Sequence, residues 1–236
     1  MPRMVEPELL DALQPEDSRA VGSRRDLRRI NTWMRQSLIM ARLLGGYGRV
    51  APRTILELGA GDGTFMLGVA KRIVPAWSGV TVRMVDRQDL VTAETERAFA
   101  DIGWTVERSV VDVLDTASDS LRDSADIVTA NLFLHHFQPA MLKRILTRVA
   151  GSASYVAACE PRRSVVALAA SRMIFLIGCN AVSRHDAVTS VRAGFRDREL
   201  SELWPSPTGI GAAWHLDENA AGLFTHTFVA KRDVSS

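Results

Sequence analysis

The sequence predicts an α/β protein: a mostly parallel sheet of seven strands, closed by a C-terminal antiparallel hairpin and preceded by an N-terminal helical cap. Three observations carry this. From Arg53 onward, apolar runs of strand length alternate with stretches of helical period, the pattern of βαβ units with right-handed crossovers. A glycine turn (Gly59, Gly61, Gly63) joins the first strand to the helix after it. The last two strands are separated by DENAAG, which is too short for a helical crossover and so implies antiparallel pairing.

The elements follow in order. Residues 1–22, rich in acids and broken by prolines, read as a loosely ordered lead. Ser23 with Asp26 suggests a capping box for a helix, DLRRINTWMRQSLIMARLL, that runs to Gly45. Leu27, Ile30, Trp33, Met34, Leu38 and Leu43 give it an apolar stripe; Arg24, Arg25, Arg28, Arg29 and Arg35 give it a basic face. Strands are expected at 54–58, 81–85, 105–111, 126–132 and 154–159. Helices are expected at 64–73, 90–100 and 139–149, with a short one near 118–123. Pro139 suits a first helical position and Gly151 a stop. An apolar helix over 165–177, a shorter one over 186–193 and a helical piece over 197–204 precede the closing strands, 212–216 and 223–231. The division is a lead and cap over 1–50 and a sheet domain over 51–236.

Composition narrows the function classes. A chain of 236 residues suits one domain. With 47% hydrophobic and 24% charged residues it has the balance of an ordinary globule. A net charge of +2 gives no polyanion signal, and argues against a nucleic-acid partner. Cys159 and Cys179 lack C-x-x-C spacing and fit buried, reduced thiols in a cytoplasmic protein. The acidic, proline-broken start does not read as a signal peptide. The most apolar run, Val165 to Cys179, carries Arg172 and is shorter than the roughly 20 residues of a spanning helix.

The turn at 55–65, ILELGAGDGTF, is the most informative stretch. A strand meets an acid, Glu57. Bare backbone at Gly59, Ala60, Gly61 and Gly63 then opens onto a helix N-terminus, which favours an anionic ligand group. The spacing is G-x-G-x-G. A dinucleotide loop places its third glycine one residue later, and Asp62 would stand unfavourably near a pyrophosphate. A ligand with a zwitterionic amino-acid end fits better: its carboxylate meets N–H groups, and its ammonium meets a carboxylate or carbonyls.

ELGAGDGTF resembles the first motif of the class I S-adenosylmethionine-dependent methyltransferases, and the resemblance extends over about residues 51 to 231 in motif order and closing hairpin. It implies a Rossmann-like sheet and S-adenosylmethionine as cofactor, held by the loop residues. It implies Asp86, in VRMVDRQD, as the ribose ligand, with Arg87 beside the adenine. It implies Asp112 and Val113 at the adenine, Asp115 being a competing choice, and Asn131 and Leu132, in TANLFLHHF, beside the methionine part. Asn-Leu-Phe-Leu departs from the Asn/Asp-Pro-Pro-aromatic motif of many enzymes that methylate nucleobase or glutamine nitrogens, which points away from those acceptors.

Methyl transfer from a sulfonium is an in-line displacement, achieved mainly by alignment. A phenol or enol acceptor also gains from losing its proton, for which histidine is the natural base near neutral pH. His135 and His136 follow the fourth strand at the pocket rim. His185 precedes a helix expected over the acceptor, with Arg184 and Arg192 near. These three are the candidate bases, although a carbon nucleophile or acidic hydroxyl needs none. No carboxylate or third ligand accompanies the histidine pair at useful spacing, so no metal is expected. The first helix's stripe, with Met40, can line an apolar pocket. SRRDLRRIN and HDAVTSVRAGFRDREL resemble segments of small bacterial methyltransferases of quinone, phenolic-lipid and polyketide pathways. The expected activity is O- or C-methylation of a small aromatic acceptor by a monomer or homodimer. Alternatives are a non-catalytic S-adenosylmethionine-binding partner protein and a macromolecular methyltransferase acting on RNA or protein.

Overall fold

The computed structural model describes residues 1–48, 50–115, 125–206 and 213–232. Seven strands form one sheet: β1 Thr54–Leu58, β2 Thr81–Asp86, β3 Thr105–Val110, β4 Ala125–Asn131, β5 Ala153–Pro161, β6 Trp214–Ala221 and β7 Thr225–Arg232. Their spatial order is β3-β2-β1-β4-β5-β7-β6. The first five pair parallel, whereas β7 runs antiparallel to both β5 and β6. The order reverses between β1 and β4. At that switch point the crossovers leave in opposite directions, and a crevice opens at the strands' carboxyl ends.

Helices cover both faces, which is why every residue of β1 after Thr54 is buried. On one side lie α2 (Gln36–Leu44), α3 (Thr64–Ile73) and α4 (Ala93–Ala100), where Met40, Leu44, Met66 and Phe99 pack on Ile55 and Val82. On the other lie α5 (Pro139–Ser152) and α8 (Glu199–Leu203), where Leu142, Ile145 and Leu200 pack on Leu56, Val128 and Phe228. Three more helices, α1 (Ser18–Trp33), α6 (Val165–Arg172) and α7 (Ala181–Ala193), complete the chain. α7 packs against the turn that follows β4, and α1 packs against α7.

Several local expectations give way to longer-range contacts. The first helix is two: Arg35 adopts a left-handed conformation, φ 57°, between α1 and α2. Its N-cap is Asp17, whose carboxylate accepts the Arg19 N–H at 2.8 Å. Ser23 and Asp26 are therefore not a capping box; they lie buried within α1. There Asp26 accepts the Asn180 N–H at 2.8 Å and the Ser183 hydroxyl at 3.0 Å. This polar seam, not the apolar stripe, faces α7, and Trp33 is left 70% exposed.

The lead is not loose. It forms a short helical turn, Leu10–Ala12, whose Leu9 and Leu10 N–H groups donate to the Asp186 carboxylate at 2.8 and 3.0 Å. Asp186 accordingly sits inside α7, which starts at Ala181 under an Asn180 cap. α5 passes through Gly151 to Ser152. The apolar 165–177 segment breaks at Met173 into α6 and a 3-10 turn, Ile174–Ile177, ended by Gly178 at φ 76°. Most of DENAAG belongs to β6, and the hairpin turn is only 222–224. The short helix expected near 118–123 lies outside the described residues.

Candidate functional site

A cleft of about 470 Å³ opens over the carboxyl ends of β1, β2 and β4. All the cofactor residues expected from the sequence line it except Gly63. Gly63 instead starts α3 at φ 73°, where an added Cβ would stand 2.9 Å from the Met84 sulfur.

Backbone ties set the loop. The Gly59 and Ala60 N–H groups donate to the Val85 carbonyl at 2.8 and 3.2 Å. Gly61 N–H donates to Asp86 Oδ2 at 2.8 Å, and Asp86 Oδ1 accepts the Gln88 N–H at 3.0 Å. Gly59 and Gly61 have φ of 67° and 56°, a region that L side chains rarely occupy. A Cβ at Gly59 would lie 2.3 Å from the Phe133 ring, while one at Gly61 would meet nothing within 4 Å. Gly59 is thus needed for packing, and Gly61 for backbone conformation. Asp62 does not face the cleft as a lone charge: Oδ1 accepts the Thr64 N–H at 3.0 Å and Oδ2 pairs with Arg28 of α1 at 2.6 Å.

At the floor, Glu57 is buried and its Oε2 has no hydrogen-bond partner among the described residues; the same holds for the Asn131 Oδ1. Burial, then the charges of Asp62 and Asp86, push the Glu57 carboxyl well above the usual carboxylate range. Unmet acceptors of this kind are costly. An ammonium group fits the defect: it supplies donors to Glu57 and Asn131 and offsets three carboxylates. Such a ligand lowers the Glu57 pKa as it binds. At a pH below the raised pKa, binding should therefore release up to one proton. The check is the dependence of calorimetric binding enthalpy on buffer ionisation enthalpy, and Glu57→Gln is expected to abolish it.

The turn after β4 is organised by a residue the sequence reading did not single out. Glu160, buried at the end of β5, accepts the N–H groups of Phe133 (3.1 Å), Leu134 (2.8 Å) and His135 (3.3 Å). Its Oε2 also lies 2.8 Å from His135 Nδ1, and Glu8 of the lead lies 3.4 Å from His135 Nε2. Burial disfavours a charged imidazole, but the hydrogen bonds to Glu160 and Glu8 outweigh it and raise the His135 pKa to about 9. His135 is thus an imidazolium with both nitrogens engaged, not a free base.

His136 is different. It lies on the rim, its side chain 23% exposed, with Nδ1 3.4 Å from Asp11. Asp11 in turn pairs with Arg87 at 3.5 Å. Burial tends to raise the Asp11 pKa, but His136 and Arg87 hold it below its ordinary value. Glu8, Asp11 and Ser190, which hydrogen-bonds Glu8, all line the cleft. No local pattern marks the lead for this place; only contacts across the fold bring it there.

The tertiary structure supplies the carboxylate that spacing did not show beside the histidines: ligand atoms of Glu8, His135 and His136 lie within 4.8 Å of one another. Within this group His135 Nδ1 is engaged by Glu160 and its Nε2 faces Glu8. His185 does not reach the cleft. It sits on α7, half-exposed, with Nδ1 3.0 Å from Asp186, and neither Arg184 nor Arg192 lines the cleft. Leu132, at φ 51°, is a strained residue on the cleft wall. Asp112 and Val113 border it from the loop after β3, with Asp112 Oδ1 accepting the Leu114 N–H at 2.8 Å. Leu27, Phe65, Phe133, Phe137 and Met141 add an apolar and aromatic wall, and Arg24 and Asn31 of α1 add polar groups to it.

No protein-family model matches the chain. No curated protein matches it in sequence. Solved structures do match. An O-methyltransferase family protein from Burkholderia thailandensis aligns with 95% of this chain at TM-score 0.58 and 19% identity; this chain spans 64% of that protein's length. The plantazolicin methyltransferase BpumL in complex with SAH aligns at TM-score 0.63 and 11% identity, covering 92% of each chain. The pyocyanin biosynthetic protein PhzM aligns at TM-score 0.54 and 14% identity over 96% of this chain and 62% of its own. At these identities the likeness is one of fold: the seven-stranded α/β sheet is shared with these methyltransferases.

Proposed function

We propose that the protein transfers a methyl group from S-adenosylmethionine to an oxygen or carbon of a small aromatic acceptor, phenolic, quinol or polyketide-like. The observation that carries this is the buried Glu57 carboxyl oxygen, without a hydrogen-bond partner among the described residues, beside the Gly59–Gly61 backbone and Asp86. That floor suits an amino-acid ammonium, and the Asp86 side suits a ribose. A neighbour of this fold holds SAH. Glu57, Gly59, Ala60, Gly61 and Asn131 would hold the methionine part. Asp86 would take the ribose, and Arg87, Asp112, Val113 and Leu132 would frame the rest. Bound there, S-adenosylmethionine supplies an electrophilic methyl group on a sulfonium.

The chain's own work is alignment and proton handling. Residues 1–50 act as a cap: the lead and α1 roof the cleft, and Leu27 with the aromatic wall holds a flat acceptor. Asp11 orients His136 through Nδ1, which leaves Nε2 free to take the acceptor hydroxyl proton. The fixed charge of His135 between Glu8 and Glu160 keeps that turn rigid, so it is a positioning residue. The proposed setting is cytoplasmic, and no described helix is long and apolar enough to cross a membrane.

The direct test is incubation with methyl-labelled S-adenosylmethionine and a panel of phenols and quinols. Label in a product supports the proposal; binding without turnover on every acceptor favours the non-catalytic binder. For a hydroxyl acceptor, His136→Asn is expected to lower kcat by about 100-fold or more with cofactor affinity kept. Asp11→Asn should lower it less. Unchanged turnover in His136→Asn would show that transfer rests on alignment alone.

A further inference from the structure

An exposed apolar surface lies outside the cleft. The 3-10 turn Ile174–Ile177 has no buried residue. Met173, Phe175, Leu176 and Ile177 face solvent, Leu176 being 64% exposed. α1 meets this turn and, further along, the β6–β7 turn. Arg29 of α1 donates to the Ile177 carbonyl at 2.9 Å. One helical turn further on, exposed Trp33 stacks on Phe224 of the β6–β7 turn at 6.5 Å, next to exposed Leu223. α1 thus carries an exposed aromatic group one helical turn from its contact with an exposed apolar turn, a grouping that marks interaction sites more often than single scattered hydrophobic residues do.

Charge distinguishes what could cover it. Arg25, Arg35 and Arg172 are exposed and have no salt bridge among the described residues. From Arg162 to Arg184 the sequence contains no acidic residue. A second copy of this chain, brought on by a two-fold axis, would set these arginines against themselves. An anionic lipid surface would instead meet every arginine with a phosphate while Phe175, Leu176 and Trp33 enter the acyl boundary. Arginine heads with aromatic and aliphatic tips are the composition of interfacial anchors.

We propose that this face docks the protein reversibly on an anionic membrane surface, with the Met173–Ile177 turn as the inserted wedge. α1 joins the two regions: Arg29 and Trp33 belong to the docking face, while Leu27 lines the cleft. A lipophilic small molecule in the bilayer would thereby have a short path to the cleft. The docking surface itself stands on the fold and does not depend on the proposed methyl transfer.

The experiment is vesicle flotation, with no substrate present. The protein should float with phosphatidylglycerol-containing vesicles, less with pure phosphatidylcholine, and less again in high salt. The double variant Phe175→Ser/Leu176→Ser is expected to lose about tenfold in partitioning with an unchanged Tm, since neither side chain is buried. Arg172→Glu should lose binding to the anionic vesicles only. Absence of flotation on the phosphatidylglycerol-containing vesicles would overturn the proposal, as would full flotation of both variants. A dimer in sedimentation that the double variant abolishes would assign the face to a second copy and overturn it as well.

Discussion

Asp86→Ala is expected to weaken S-adenosylmethionine binding by roughly 100-fold, about 2.7 kcal/mol. Two losses combine. On the proposed assignment the ribose hydroxyls lose a charged acceptor, and the glycine loop loses its anchor, because Asp86 also holds the Gly61 and Gln88 N–H groups. Gly61→Val should produce a loss of similar size by another route. Nothing crowds a Cβ there, but φ of 56° is a strained conformation for valine, so the loop would shift to relieve it. Asp86→Asn keeps acceptor oxygen without charge and should fall between. Calorimetric titration with S-adenosylmethionine or SAH is the measurement. Unchanged affinity in both Asp86→Ala and Gly61→Val would remove the cofactor from this cleft.

The second large effect is on stability. Glu160→Ala is expected to destabilise the protein by about 3–5 kcal/mol, because it strips one buried charge of its partner. The variant leaves the His135 imidazolium without its nearest counter-charge and orphans the N–H groups of Phe133, Leu134 and His135. Urea denaturation at neutral pH measures it. The pH dependence separates this account from simple loss of packing. His135 has a folded pKa of about 9, above its unfolded value. Its contribution is therefore fully present below about pH 6.5, on the order of 3 kcal/mol, and is lost as pH rises towards 9. The wild-type protein should lose stability across that window. Glu160→Ala should be weak throughout it and nearly flat. A wild-type stability that does not fall between pH 6.5 and 9 would show that His135 is not held as a cation.

The two effects differ in how visible they are in one dimension. Asp86 is legible because it ends the second strand of the βαβ series, the place where the resemblance to the methyltransferase motifs implies an acid. The glycine loop is legible because its backbone conformation excludes other residues. Glu160 ends β5 in the same manner, within ACEPRR, and an acid closing an apolar strand was a signal available in the sequence. Its partner His135 carries no such signal: whether an imidazole is a base or a fixed cation depends on carboxylates 25 and 127 residues away. The distinction between His135 and His136 follows from that, as does the placing of His185 on α7 outside the cleft.

The start of the chain shows the limit most clearly. Prolines and acids in residues 1–17 give no periodicity, so local reasoning finds only a loose lead. In the fold, the Asp186 carboxylate caps its short helical turn, and Glu8 and Asp11 reach the histidines. Likewise Ser23 and Asp26 read as a cap because their types suit one, yet Asn180 and Ser183 claim them for a buried seam.

By itself the sequence determined the alternation of strands and helices, the parallel sheet with its antiparallel close, and the loop and acids at the strand ends. Hydrophobic period and glycine conformation are short-range properties, and they survive folding unchanged. Only the tertiary structure decided which histidine is free, which carboxylates hold the other, what roofs the cleft and which apolar residues stay outside. Those outcomes depend on burial and on charges brought together from distant segments, and neither quantity exists until the chain has folded.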